Sequence, residues 1–185
     1  ENGVGYLSVS AYWSGADVGA SEYGNTHTAI FAGTEDHGNT WTGGTNGAPY
    51  YFIPDDVYQN MFDDGTFPSE WTDPDLGDTY SFTYLFCAYD YHMRVDSDGN
   101  PHFILGVLPS DDGYVYPGIF EYNGFYHFTI DKDYLANPGD PQTSTGWNYS
   151  KVVRTDETWM WDLGGFAAWQ FFFPHLSISE DDDDV

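Results

Sequence analysis

The chain of 185 residues is long enough for one domain with its own core, and a hydrophobic content of 41%, with aromatic residues at 20%, supplies the side chains to fill it. Thirty acidic residues face only four basic ones, Arg94, Lys132, Lys151 and Arg154, giving a formal charge of −26 whose field repels anions. Nucleic acid and anionic membranes are therefore excluded as partners, and the absence of an apolar run of transmembrane length excludes insertion by a helix.

In chain order, strand-like segments fall at Gly5 to Trp13, Thr26 to Phe31, Tyr80 to Tyr89, His92 to Val95, His102 to Leu108, Ile119 to Tyr122, Phe125 to Ile130 and Phe171 to Ser179. Their Tyr, Phe and Trp residues suit a pleated surface, on which flat rings pack well. One short helix is expected around Asp55 to Phe62, opened by Pro54-Asp55-Asp56. Asp98-Gly99-Asn100-Pro101 and the Asn123-Gly124 pair read as hairpin turns, because both supply residues that accept positive φ. The class is all-β, with antiparallel sheets and long loops. Cys87, inside the apolar run Tyr84 to Tyr89, reads as a buried small hydrophobe with no disulfide partner.

Three segments look alike when stacked: Tyr6 to Ser10, His92 to Asp96 and His175 to Ser179. They suggest repeat units of roughly 85 residues, spanning 1–90, 91–173 and a truncated 174–185 within one domain over 1–185. Two long Gly-, Pro- and Asp-rich loops, Gly43 to Asp78 and Tyr134 to Asn148, are read as binding elements or as excursions with structure of their own. After Ser179 an acidic run is followed by no answering strand, which reads as a cut through a repeat, with a natural acidic tail as the alternative.

The segment Thr34-Glu35-Asp36-His37-Gly38-Asn39-Thr40-Trp41 carries a Thr, an Asp two residues on, a Gly two further, and a closing Thr-Trp. An Asp in that position can accept N–H groups orphaned by a tight turn, and a Gly supplies positive φ. The segment resembles the Asp-box of sialidase-like (BNR-repeat) β-propellers of secreted bacterial proteins, on Thr34, Asp36, Gly38, Thr40 and Trp41. The resemblance implies propeller blades, with this turn joining outer strands of a blade away from any central pocket. It also implies that Trp41 packs beneath the turn, so that Trp41→Ala would cost about 3–5 kcal/mol.

No catalytic constellation is legible. A sialidase site needs an arginine cluster, a Tyr nucleophile with a Glu, and an Asp acid, whereas only Arg94 and Arg154 are present. Glu121 and Asp90 are the least generic carboxylates for glycoside hydrolysis, and both also read as outward strand residues. Calcium is the expected cofactor if one is used, through Asp96, Asp98 and Asn100, whose oxygens alternate around a Gly-containing turn; plain solvation of an acidic surface is the other reading. Tyr51, Trp71, Trp147 and Trp161 lie where rings can stack on sugar faces or, alternatively, seal sheets together. These observations point to a non-catalytic module of a secreted or cell-surface bacterial protein with a glycan or surface-protein partner. Two alternatives stay open: a sialidase-like glycosidase completed by further blades, and cargo of a Bacteroidetes-type secretion translocon.

Overall fold

A computed structural model of the chain describes residues 3–13, 26–41, 50–111, 114–115, 123–136, 143–154 and 176–177. The described residues are mostly antiparallel strand. A three-stranded sheet has the order β1-β2-β3, from β1 (Gly5–Trp13), β2 (Thr26–Thr34) and β3 (Tyr51–Phe52). The helix α1 (Asp55–Asp63) follows, then a separate hairpin of β4 (Glu70–Thr72) and β5 (Thr79–Ser81). A second large sheet runs β10-β9-β7-β6, from β6 (Tyr84–Val95), β7 (Pro101–Asp111), β9 (Gly124–Ile130) and β10 (Trp147–Arg154), with the short β8 (Tyr114–Val115) paired to β7. The short helix α2 (Lys132–Ala136) lies between β9 and β10. None of these described sheets closes on itself.

Strand periodicity explains how the two large sheets meet. Alternate residues point to opposite faces, so Ala29 and Phe31 on β2 and Tyr6 on β1 turn inward. Opposite them come Leu85 and Cys87 on β6, Phe103, Leu105 and Val107 on β7, and Tyr126, Phe128 and Ile130 on β9. Phe31 sits at the centre, with ring centroids at 5.0 Å to Phe103, 5.4 Å to Tyr51, 6.0 Å to Tyr6 and 6.2 Å to Trp147. Helix α1 adds Val57, Tyr58 and Met61, spaced to fall on one helical face, to the same core. Asp55 and Asp56 in its first turn favour the positive end of the helix dipole.

A buried polar chain crosses this core. The Tyr58 hydroxyl lies 3.0 Å from Cys87 Sγ and 2.8 Å from Thr28 Oγ1, which donates to the carbonyl of Ile53 at 3.3 Å. A consistent proton order runs from thiol to phenol to Thr28 to carbonyl, so each donor is answered. Burial pushes the Cys87 thiol up to about 12, and the Tyr58 hydroxyl well above its ordinary range. Cys87 is thus the buried, chemically quiet residue its apolar run predicts.

Several sequence expectations change in detail. The segments Tyr80 to Tyr89 and His92 to Val95 hold the end of β5 and then one strand, β6, bent by a bulge: Cys87 pairs with Val107 and Tyr91 with Leu105, so extra β6 residues face one on β7. The loop from Gly43 to Asp78 carries β3, α1 and the strand β4. The loop from Tyr134 to Asn148 ends inside β10, which the sequence reading does not predict. Ile119 to Tyr122, Glu121, Trp161, His175 and the acidic tail lie outside the described residues, and only Leu176 and Ser177 of the strand expected over Phe171 to Ser179 are described, neither as strand.

Candidate functional site

The turn after β2 is built around one carboxylate. Asp36 Oδ1 accepts the main-chain N–H of Thr40 at 2.8 Å and the Thr34 hydroxyl at 2.8 Å, and Oδ2 accepts the Thr40 hydroxyl at 2.7 Å. Thr34 Oγ1 in turn accepts the N–H of Gly38 at 2.9 Å, while His37 (φ 60°) and Gly38 (φ 83°) make the left-handed bend. These hydrogen bonds hold the Asp36 carboxyl below its ordinary range.

Trp41 departs from expectation. Its ring lies beside Gly38, where a Cβ would meet it at 3.5 Å, yet the residue is 47% exposed and does not pack into the core. A half-exposed indole loses about half as much on truncation, so Trp41→Ala is expected to cost about 2 kcal/mol or less, not the 3–5 of a buried ring. Urea denaturation of the variant checks this; a loss above about 3 kcal/mol would restore the buried placement.

A second turn repeats the device. Asp96 Oδ1 accepts the N–H of Asn100 and Oδ2 the Asn100 side-chain amide, both at 2.7 Å, around Gly99 at φ 94°. Its Oδ2 also meets His102 Nε2 at 3.1 Å, and His102 Nδ1 lies 2.8 Å from His127 Nε2. The only neutral proton order that satisfies this row has Nε2–H of His102 on Asp96 and Nε2–H of His127 on His102. Burial pushes the Asp96 carboxyl up, but the bonds from Asn100 and His102 outweigh it and hold the group below its ordinary range. Burial, reinforced by His102, lowers His127.

The two turns meet at one end of the sheets. The Tyr6 hydroxyl donates to the carbonyl of Gly99 at 2.9 Å, His37 N–H to that of Gly3 at 3.0 Å, and Lys132 N–H to Asn100 Oδ1 at 3.0 Å. Between the turns lies a cleft of about 50 Å³, touched by Tyr6, Thr34, Glu35, Tyr51 and Lys132. Another, of about 10 Å³, lies beside Asp55, Tyr58 and Thr83. Ligand pockets for drug-sized molecules run to several hundred Å³, so neither cleft takes a sugar ring inside.

The predicted ring residues separate. Tyr51 donates its hydroxyl to the carbonyl of Leu135 at 3.1 Å, and Tyr51 and Trp147 both flank Phe31, so these two rings serve the core. Trp71 does not join the core clusters; it pairs across the β4–β5 hairpin with Tyr80, the rings stacked at 6.0 Å and 30°. Both rings are partly exposed, and the same hairpin exposes Glu70, Thr72, Asp75, Asp78, Thr79 and Ser81. Asp73 fixes the tip by accepting the N–H groups of Asp75 at 2.8 Å and Leu76 at 3.0 Å, with Gly77 at φ 75°. Phe82, buried just past β5, anchors the hairpin through its N–H to the carbonyl of Ser69. Tyr80 is the site residue that the sequence reading passes over, although Trp71 and Tyr80 symmetrically flank an Asp-Pro-Asp-Leu-Gly-Asp turn.

Asp98 of the expected calcium turn is exposed, and both Asp96 oxygens are engaged by N–H donors. Among the described residues, no three His, Cys, Asp or Glu side chains converge as a metal cluster, and no helix is long and apolar enough to cross a membrane. Comparison of the chain with protein-family models, with curated proteins and with solved structures finds no match.

Proposed function

We propose that the chain is a non-catalytic β-module of a secreted or cell-surface bacterial protein and that it binds glycans on the Trp71–Tyr80 face of the β4–β5 hairpin. The observation that carries this reading is a stacked, partly exposed aromatic pair on a hairpin whose tip exposes Asp75 and Asp78, while Glu70, Thr72, Thr79 and Ser81 lie on its opposite face. Sugar rings offer apolar C–H faces to such a platform and hydroxyls to the carboxylates at the hairpin tip. The two clefts described are too small to take a sugar ring inside, which leaves the open hairpin face as the surface proposed for it.

The blade organisation of an Asp-box propeller belongs to the same proposal and rests on the Asp36, Gly38 and Thr40 turn. Calcium enters it only through open acidic positions such as Asp98, because Asp96 already accepts from Asn100 and His102.

A glycan array probed with the wild type and with Trp71→Ala tests the proposal. The wild type is expected to retain a defined set of sugars without cleaving them, and Trp71→Ala to weaken that retention about tenfold, near the worth of one stacking ring. An array with no retained glycan contradicts the reading, as does release of hydrolysed sugar.

A further inference from the structure

Leu176 packs on the outer face of the second large sheet. There it lies 4% exposed among Phe86, Ala88, Ile104, Leu108 and Phe125. Its main-chain N–H donates to Nδ1 of His92 on β6 at 2.6 Å. A ring nitrogen accepts a hydrogen bond only when it carries no proton, so His92 in this contact is neutral, with its own proton on Nε2.

We propose that His92 is a pH-operated latch for Leu176: a proton taken from solvent by Nδ1 replaces the acceptor with a donor, sets two N–H groups against each other and releases Leu176 from the sheet. The proton adds to the ring lone pair, and the only bond broken is the hydrogen bond from Leu176. A main-chain carbonyl in the place of His92 would satisfy the same N–H at every pH; an imidazole makes the contact conditional.

Among the described residues, Arg94, His102 and His127 share this face with His92. Exposed Arg94 lies two residues along β6, so a cation on His92 gains a like-charged neighbour. On β7, cross-strand from Arg94, His102 is already bonded to Asp96, which is thereby committed to a different ring. On β9, His127 lies in the same row as His92, beyond Ile104, and is bonded to His102. Accepting an N–H favours the neutral ring in the folded state. The contact is therefore present with the neutral ring and is lost when the ring takes up its second proton.

Amide exchange of Leu176, followed by NMR and corrected for intrinsic rate, tests the latch between about pH 7.5 and 5, the window in which histidine charges. Protection is expected to fall at least about tenfold in the wild type, and to stay level in His92→Gln, whose amide oxygen accepts without titrating. Equal protection at both pH values in the wild type overturns the proposal, and so does the same loss in His92→Gln. Ring ¹⁵N shifts of wild-type His92 give a reading independent of any variant. A proton on Nε2 at the upper pH agrees with the latch, and a proton on Nδ1 there overturns it.

Discussion

Phe31→Ala is expected to destabilise the fold by about 3–5 kcal/mol, the cost of removing a large ring from a packed core. Phe31 is 1% exposed, and its ring neighbours come from four strands: Tyr6 on β1, Tyr51 on β3, Phe103 on β7 and Trp147 on β10. Those strands belong to both large sheets, so the cavity would open at the contact that joins them. Neighbouring aromatic side chains are stiff and locked by one another, which limits collapse into the gap and places the cost toward the upper part of that range. Urea denaturation with an unchanged slope reads the effect; a loss below about 1 kcal/mol would mean that the two sheets are not joined through this ring.

Asp96→Ala is the second large effect, expected at about 2–4 kcal/mol. The carboxylate accepts from the Asn100 main chain, the Asn100 side chain and His102, and its side chain is only 6% exposed. Hydrogen bonds to a charged acceptor are worth more than neutral ones, and truncation also leaves buried His102 with an unanswered N–H. Asp96→Asn should lose less, since one amide oxygen still accepts from Asn100 N–H while its NH₂ faces another donor. The pH dependence has a definite sign. Because the folded-state value is held below the ordinary one, the Asp96 contribution is present above about pH 4 and is lost as the pH falls through the lowered value. The stability gap between wild type and Asp96→Ala should therefore shrink in acid, and a gap that is constant down to about pH 2 would contradict the assignment.

The all-β class was legible because ring-bearing strand patterns mark β1 and β9, and a continuous apolar run marks β7, which is buried along nearly its whole length. The Asp98-Gly99-Asn100-Pro101 signal likewise marks the β6–β7 hairpin. Strand β10 was less visible: Trp147 and Tyr149 turn inward, but Asn148 and Ser150, which alternate with them, make the segment resemble the polar loop it follows. The bulge in β6 divided one strand into two in the sequence reading, since three residues between Cys87 and Tyr91 break the alternation that pairing with β7 restores.

For the candidate site, local chemistry could be read and distant partnership could not. Asp36 and Thr40 lie within one turn, so their bond follows from spacing alone. His102 and His127 come together only because β7 pairs with β9, and Trp41 could not be placed without knowing what lies under the turn. Trp71 was one of four candidate stacking residues on equal terms in the sequence, and its separation from Tyr51 and Trp147 depended on which rings Phe31 gathers into the core.

The most direct test of the proposed function is an NMR titration of the wild type with a glycan retained on the array, following the indole of Trp71 and the ring of Tyr80. The account predicts that these two signals shift first and together, with the core rings of Tyr51 and Trp147 unmoved. Saturable shifts confined to other rings, with Trp71 and Tyr80 unchanged, would contradict it.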